Sequence, residues 1–79
     1  MSLPLHLDPQ RLEEVCEAIA NTTQGWLERH SSEAHYAALA RRDCQIGGML
    51  ELARRLGDHR LVRRLEAQKD ALRRMIEAF

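Results

Sequence analysis

Four histidines, two cysteines and a glycine pair are the residues of this 79-residue chain whose types could carry chemistry. His6, His30, His35 and His59, joined with Cys16 or Cys44, offer the imidazoles and thiolates that zinc takes, but zinc sites also need short, regular ligand spacings. No two histidines stand at i and i+4, and adding the cysteines reproduces none of the regular zinc patterns. No metal or other cofactor is expected. Gly47-Gly48 is followed by Met49 rather than by Lys-Ser or Lys-Thr, so the backbone cradle of a phosphate loop is missing. Serines occur only at positions 2, 31 and 32, where a terminus and a helix cap explain them better than an activated nucleophile does. With no acid and base paired at a usable spacing, the chain reads as non-enzymatic.

The cysteines lie on different predicted elements. A disulfide would need their Cα atoms within about 7 Å, and in a reducing compartment such a pair reads as two small buried hydrophobes with free thiols. Residues 1–8 show no basic n-region and no apolar run, and no stretch approaches the roughly 18 to 20 apolar residues of a membrane span. A cytoplasmic location without membrane contact is the expectation.

These residues must be held by one small domain, since roughly 100 to 200 residues make a typical domain. Twelve Lys plus Arg balance twelve Asp plus Glu, so no global field draws the chain to nucleic acid or an anionic membrane. Apolar residues make up 44% of the chain, yet Trp26, Tyr36 and Phe79 are its only aromatics, so the core must be aliphatic.

Punctuation divides the chain into an extended arm over residues 1–7, where Leu3, Leu5 and Leu7 alternate with Pro4 and His6, and three helices over about 8–30, 32–56 and 58–79. Asp8-Pro9 opens the first: Asp accepts from the free N–H groups, Pro suits the first helical position, and Leu7 and Leu12 fall at the staple positions. Leu12, Val15, Cys16, Ile19, Thr23, Trp26 and Leu27 form its apolar stripe. Ser31-Ser32-Glu33 is the cap expected for the second helix, whose stripe runs from Tyr36 and Leu39 through Ile46, Met49, Leu50, Leu52 and Ala53 to Leu56. Gly57 then stops that helix and Asp58 starts the third, which carries Leu61, Val62, Leu65, Leu72, Met75, Ile76 and Phe79. The short loops fold successive helices back on one another. The architecture expected is all-α, an antiparallel helical hairpin extended to a small three-helix bundle.

The middle helix has more apolar surface than one neighbour covers. At 100° per residue its stripe spreads over roughly 200°, about twice what a single contact needs. A core of this size rarely supplies more than about 3 to 5 kcal/mol unaided, so oligomerisation or a partner is expected, with Met49, Leu52 and Leu56 on the outer arc as the contact. Gly47-Gly48 costs about 1 kcal/mol per glycine relative to alanine in a helix interior, which predicts either a close approach, by Trp26 or by a partner's backbone, or a kink. Asp43, on the inner arc, should pair with an arginine or sit at the rim. Gln68 and Lys69 read either as stems along a groove with heads at its edge or as specificity devices.

Charge is distributed unevenly. Residues 1–40 hold two arginines against six acids, net −4, and residues 41–79 hold nine arginines and one lysine against six acids, net +4. Doublets at Arg41-Arg42, Arg54-Arg55, Arg63-Arg64 and Arg73-Arg74 make a basic face on helices two and three, partly neutralised by helix one. Arg41, Arg42, Arg54 and Arg55 join Met49, Leu52 and Leu56 as the partner-binding candidates, with an acidic protein surface as the favoured partner.

Tyr36-x-x-Leu39 followed by Ile46, Gly47, Gly48 and Leu50 resembles the second helix of the small co-chaperones of type III secretion needle subunits. That resemblance implies a cytoplasmic helical hairpin which, with a repeat-containing partner, holds an aggregation-prone needle protein; this chain adds a third helix. The functional expectation is an adaptor, co-chaperone or regulator that sequesters a partner through apolar helix faces. The alternatives are a small phage- or plasmid-encoded inhibitor of a host protein, and a nucleic-acid binder using the Arg-rich face of helices two and three.

Overall fold

The computed structural model describes residues 8–30 and 35–79. Three helices, α1 (Pro9–His30), α2 (Tyr36–Leu56) and α3 (His59–Glu77), account for nearly all of them. The arm over residues 1–7, Leu7 of the staple, and the Ser31-Ser32-Glu33 segment lie outside the described residues.

Two of the three helix starts follow local chemistry. Asp8 Oδ1 accepts from Gln10 N at 3.2 Å, and its carbonyl accepts from Leu12 N at 3.1 Å. Asp58 Oδ1 accepts from Leu61 N at 3.1 Å and caps α3. Between α2 and α3 the turn is a Schellman motif: Gly57, at φ 75°, donates to Arg54 O at 3.2 Å, and Asp58 N donates to Ala53 O at 3.3 Å.

The start of α2 differs from expectation. The helix begins at Tyr36, with His35 at the N-cap making no side-chain bond, instead of near Ser32. A cap contributes only about 1 kcal/mol, and Leu39 is the first fully buried residue of α2. Its N–H bonds back to His35 O at 3.0 Å.

Cys16, Ala20, Leu39, Ile46, Leu50, Ala53, Leu61, Leu65 and Leu72 form the buried core, aliphatic as the composition requires. α2 and α3 share the most extensive contact and α1 and α3 the least. Two polar side chains enter this core, Thr23 and Gln68. Gln68 does not keep its head at a groove edge: its Nε2 crosses from α3 to donate to Ala20 O of α1 at 2.7 Å, because a helix carbonyl retains a second lone pair. Neither Gln68 Oε1 nor Thr23 Oγ1 has a partner among the described residues.

Helix α2 runs unbroken through Gly47-Gly48, so the glycine pair does not break it. Buried Ile46 and Leu50 grip the core on both sides of the pair and hold the helical path. A Cβ on Gly47 would meet Lys69 Nζ at 3.5 Å and its Cε at 3.8 Å and nothing from Trp26, and one on Gly48 would meet nothing within 4 Å.

Candidate interaction surface

Register brings two stripes of residues side by side. Cys16 Sγ lies 3.9 Å from Met49 O and 3.8 Å from Met49 Sδ, and further along α1 the Trp26 ring lies 4.5 Å beneath the Arg42 guanidinium. As α1 advances from Cys16 to Trp26 its contacts on α2 retreat from Met49 to Arg42, so the two helices are antiparallel. On α1, Val15, Ile19, Thr22 and Trp26 recur at alternating steps of four and three. On α2, Ala38, Arg42, Gln45, Met49, Leu52 and Leu56 do the same. Such spacing keeps each set on one face of its helix.

Helix α3 lies on the opposite flank. It reaches α1 at Ala20 through Gln68, and α2 at Asp43, where Lys69 Nζ donates to Asp43 Oδ1 at 3.0 Å. Among the described residues the α1–α2 seam on the far side therefore has no third helix over it, and its residues are only partly covered. Ile19, Met49 and Leu52 pack on the core and remain half-buried, Leu12 and Leu56 are half-buried, and Val15 is 48% exposed.

Of the seven residues singled out from sequence, the structure brings Met49, Leu52, Leu56 and Arg42 onto this seam, with Arg41 on its outer edge. Met49 and Leu52 are less open than an outer arc implies: both pack against the core, and Met49 has Cys16 of α1 against it. Arg54 faces the other way: its guanidinium meets Glu51 at 3.3 Å and Glu66 of α3 at 3.4 Å. Arg55 is exposed, three residues beyond Leu52.

The ion pairs revise the electrostatic expectation. Asp43 pairs with Lys69 instead of an arginine, and among the described residues no ion pair joins α1 to either other helix. Exposed carboxylates such as Glu14 gain little from closing on an arginine across water, and long side chains lose entropy in doing so. Neutralisation runs between α2 and α3.

Around Trp26 the seam opens into a groove of about 450 Å³ lined by Thr22, Trp26, Ala38, Arg41, Arg42 and Gln45. Trp26 was legible as part of the α1 stripe, but its place under Arg42 was not, since only the α1–α2 register decides it. Val15 was likewise read as stripe, and its openness depends on where α3 sits.

The cysteines part company. Cys16 is fully buried and Cys44 is exposed, both as free thiols, so only Cys16 is the small buried hydrophobe expected. His35 and His59 stand exposed at helix starts, and His6 lies outside the described residues. Among the described residues no three His, Cys, Asp or Glu side chains gather as metal ligands, and no helix is long and apolar enough to cross a membrane. No protein-family model, curated protein or solved structure matches the chain.

Proposed function

We propose that this chain is a non-enzymatic protein–protein interaction module that holds a partner, or a second copy of itself, along the α1–α2 seam. The observation that carries the reading is the incomplete cover of that seam, where Val15 stands open beside half-buried Met49, Leu52 and Leu56. Helix-in-groove binding uses this arrangement, with apolar anchors at heptad spacing supplying area and flanking charges setting orientation. Of the forms such a module takes, sequestration of an aggregation-prone protein is the one favoured by the Tyr36 to Leu50 pattern and its resemblance to needle-subunit co-chaperones.

Sedimentation of the purified chain at micromolar concentration, alone and after co-expression with its genomic neighbours, tests the reading. Wild type is expected to sediment as a dimer or a hetero-complex, and Val15→Lys to return it to the monomer without loss of helicity. A chain that stays monomeric at every concentration and co-purifies with none of those neighbours overturns it.

A further inference from the structure

Resting on that seam reading, we infer that the occupant is an acidic amphipathic helix, seated with its apolar turns over Val15, Met49 and Leu52 and its carboxylates at Arg41 and Arg42 beside Trp26. The charge of the grooves selects this partner. The groove between α2 and α3 carries Glu51, Glu66 and Asp70 against Arg54, Lys69 and Arg73, which leaves it without a preferred sign. Another, between α1 and α3, carries Glu28. The Trp26 groove carries Arg41 and Arg42 and no acid, and neither arginine has a carboxylate partner among the described residues.

The same groove holds the chain's only tryptophan, half-buried, with a guanidinium stacked on it. A guanidinium whose carbon lies 4.5 Å from a ring centroid is held in place by the ring face, and a planar guanidinium can still offer N–H donors to a carboxylate as two parallel bonds. Trp and Arg are also the side chains that most often anchor protein interfaces.

Length and spacing select a helix rather than a strand. From Ala38 to Leu56 the seam runs about 27 Å at 1.5 Å per residue, the length of a helix of about 18 residues. Its contact positions repeat by four and three, the spacing into which the side chains of another helix interlock. The seam is also divided end to end: Val15, Ile19, Met49, Leu52 and Leu56 make one half apolar, while Arg41 and Arg42 make the other basic. A complementary helix has leucine-like residues in one half and carboxylates in the other.

Trp26 is a built-in reporter for the test. The probes are synthetic helical peptides of about 18 residues, the length the rise per residue gives. Each has leucines at heptad positions in one half and Glu, Gln or Lys at those positions in the other, made in both block orders. In one order the Glu peptide is expected to change Trp26 emission saturably and to bind about tenfold more tightly than the Lys peptide, the discrimination that two rim arginines supply. Arg41→Glu with Arg42→Glu is expected to reverse that ranking. The milder Arg41→Gln with Arg42→Gln should abolish it, with circular dichroism confirming that both variants keep their helices. Equal binding of the Glu and Gln peptides overturns the acidic partner while leaving the seam reading intact. Failure of every peptide while wild type self-associates through Val15 assigns the seam to a second copy, and overturns the inference. Failure of every peptide with a strictly monomeric chain that co-purifies with none of its genomic neighbours overturns both readings. A single-stranded oligonucleotide that binds more tightly than the Glu peptide at about 0.15 M salt, where exposed charges are well screened, overturns it in favour of nucleic acid.

Discussion

Cys16 and Cys44 carry the same thiol into opposite surroundings. Burial, with the charge of Glu13 adding to it, pushes the Cys16 thiol above its usual 9.0, while Cys44 stands in water. A thiol-reactive disulfide reagent at pH 8 is expected to modify Cys44 at once and Cys16 only as the protein opens, because the thiolate is the reactive form and the reagent must also reach it. Two fast thiols in the folded protein would contradict this. The same shift sets a sign for stability. The folded state holds the Cys16 proton more tightly than the unfolded chain, so its contribution is intact below pH 9.0 and is lost as pH rises through the higher folded value. Urea midpoints should therefore fall more steeply above pH 9.0 in wild type than in Cys16→Ala.

Gln68 poses the reverse problem, since one end of its amide is satisfied and the other is not. Its Nε2 bonds to Ala20 O, but Oε1 is buried without a partner, as is Thr23 Oγ1 nearby in the core. Replacing a half-satisfied polar group by an apolar one of similar shape removes a desolvation cost along with a bond. Gln68→Leu is accordingly expected to match wild type or exceed it by up to about 1 kcal/mol in denaturant melts. A loss beyond about 2 kcal/mol would mean that the bond to Ala20 contributes more than an ordinary buried hydrogen bond.

At the scale of the elements, the α2–α3 turn and the glycine pair in α2 respond oppositely to the same substitution. Gly57 sits at φ 75°, where a Cβ is strained even with open space around it, so Gly57→Ala should cost about 1 to 2 kcal/mol. Gly48 has ordinary helical geometry and nothing within reach of an added Cβ, so Gly48→Ala should add about 0.5 to 1 kcal/mol by restricting the unfolded chain. Thermal melts of the two variants check both signs. A stabilised Gly48→Ala that no longer self-associates or binds its partner would show that the glycine is kept for close approach across the interface rather than for folding.

At the scale of the molecule, the uneven contacts among helices predict an order of opening. The α2–α3 hairpin is joined by a two-residue turn, shares the largest contact and carries the Asp43–Lys69 and Arg54–Glu66 pairs along its length. Helix α1 meets α3 least, and its link to α2 is bordered by the open seam. Native-state hydrogen exchange is expected to be slowest at Ile46, Leu50, Leu61 and Leu65, and faster throughout α1, because local opening follows buried contact. Uniform protection across the three helices would show that α1 is not the loosest element. A partner on the seam should slow exchange in α1 above all, since it covers the flank that α1 leaves open.

Much of this architecture was legible because it rests on near neighbours in the chain. Asp8-Pro9, Gly57 and Asp58 mark helix ends by chemistry that acts within one turn, and a 3.6-residue period carries the identity of the core directly. Where the reading missed, a distant partner decided. Asp43 finds Lys69 because the α2–α3 register brings that side chain opposite, and Trp26 meets Arg42 instead of Gly47. The width of the apolar stripe on α2 already implied more surface than one neighbour could cover. Which flank stays open, and which arginines border it, was decided only when α3 packed on one side of the α1–α2 pair, for a period along one helix says nothing about the side from which another approaches.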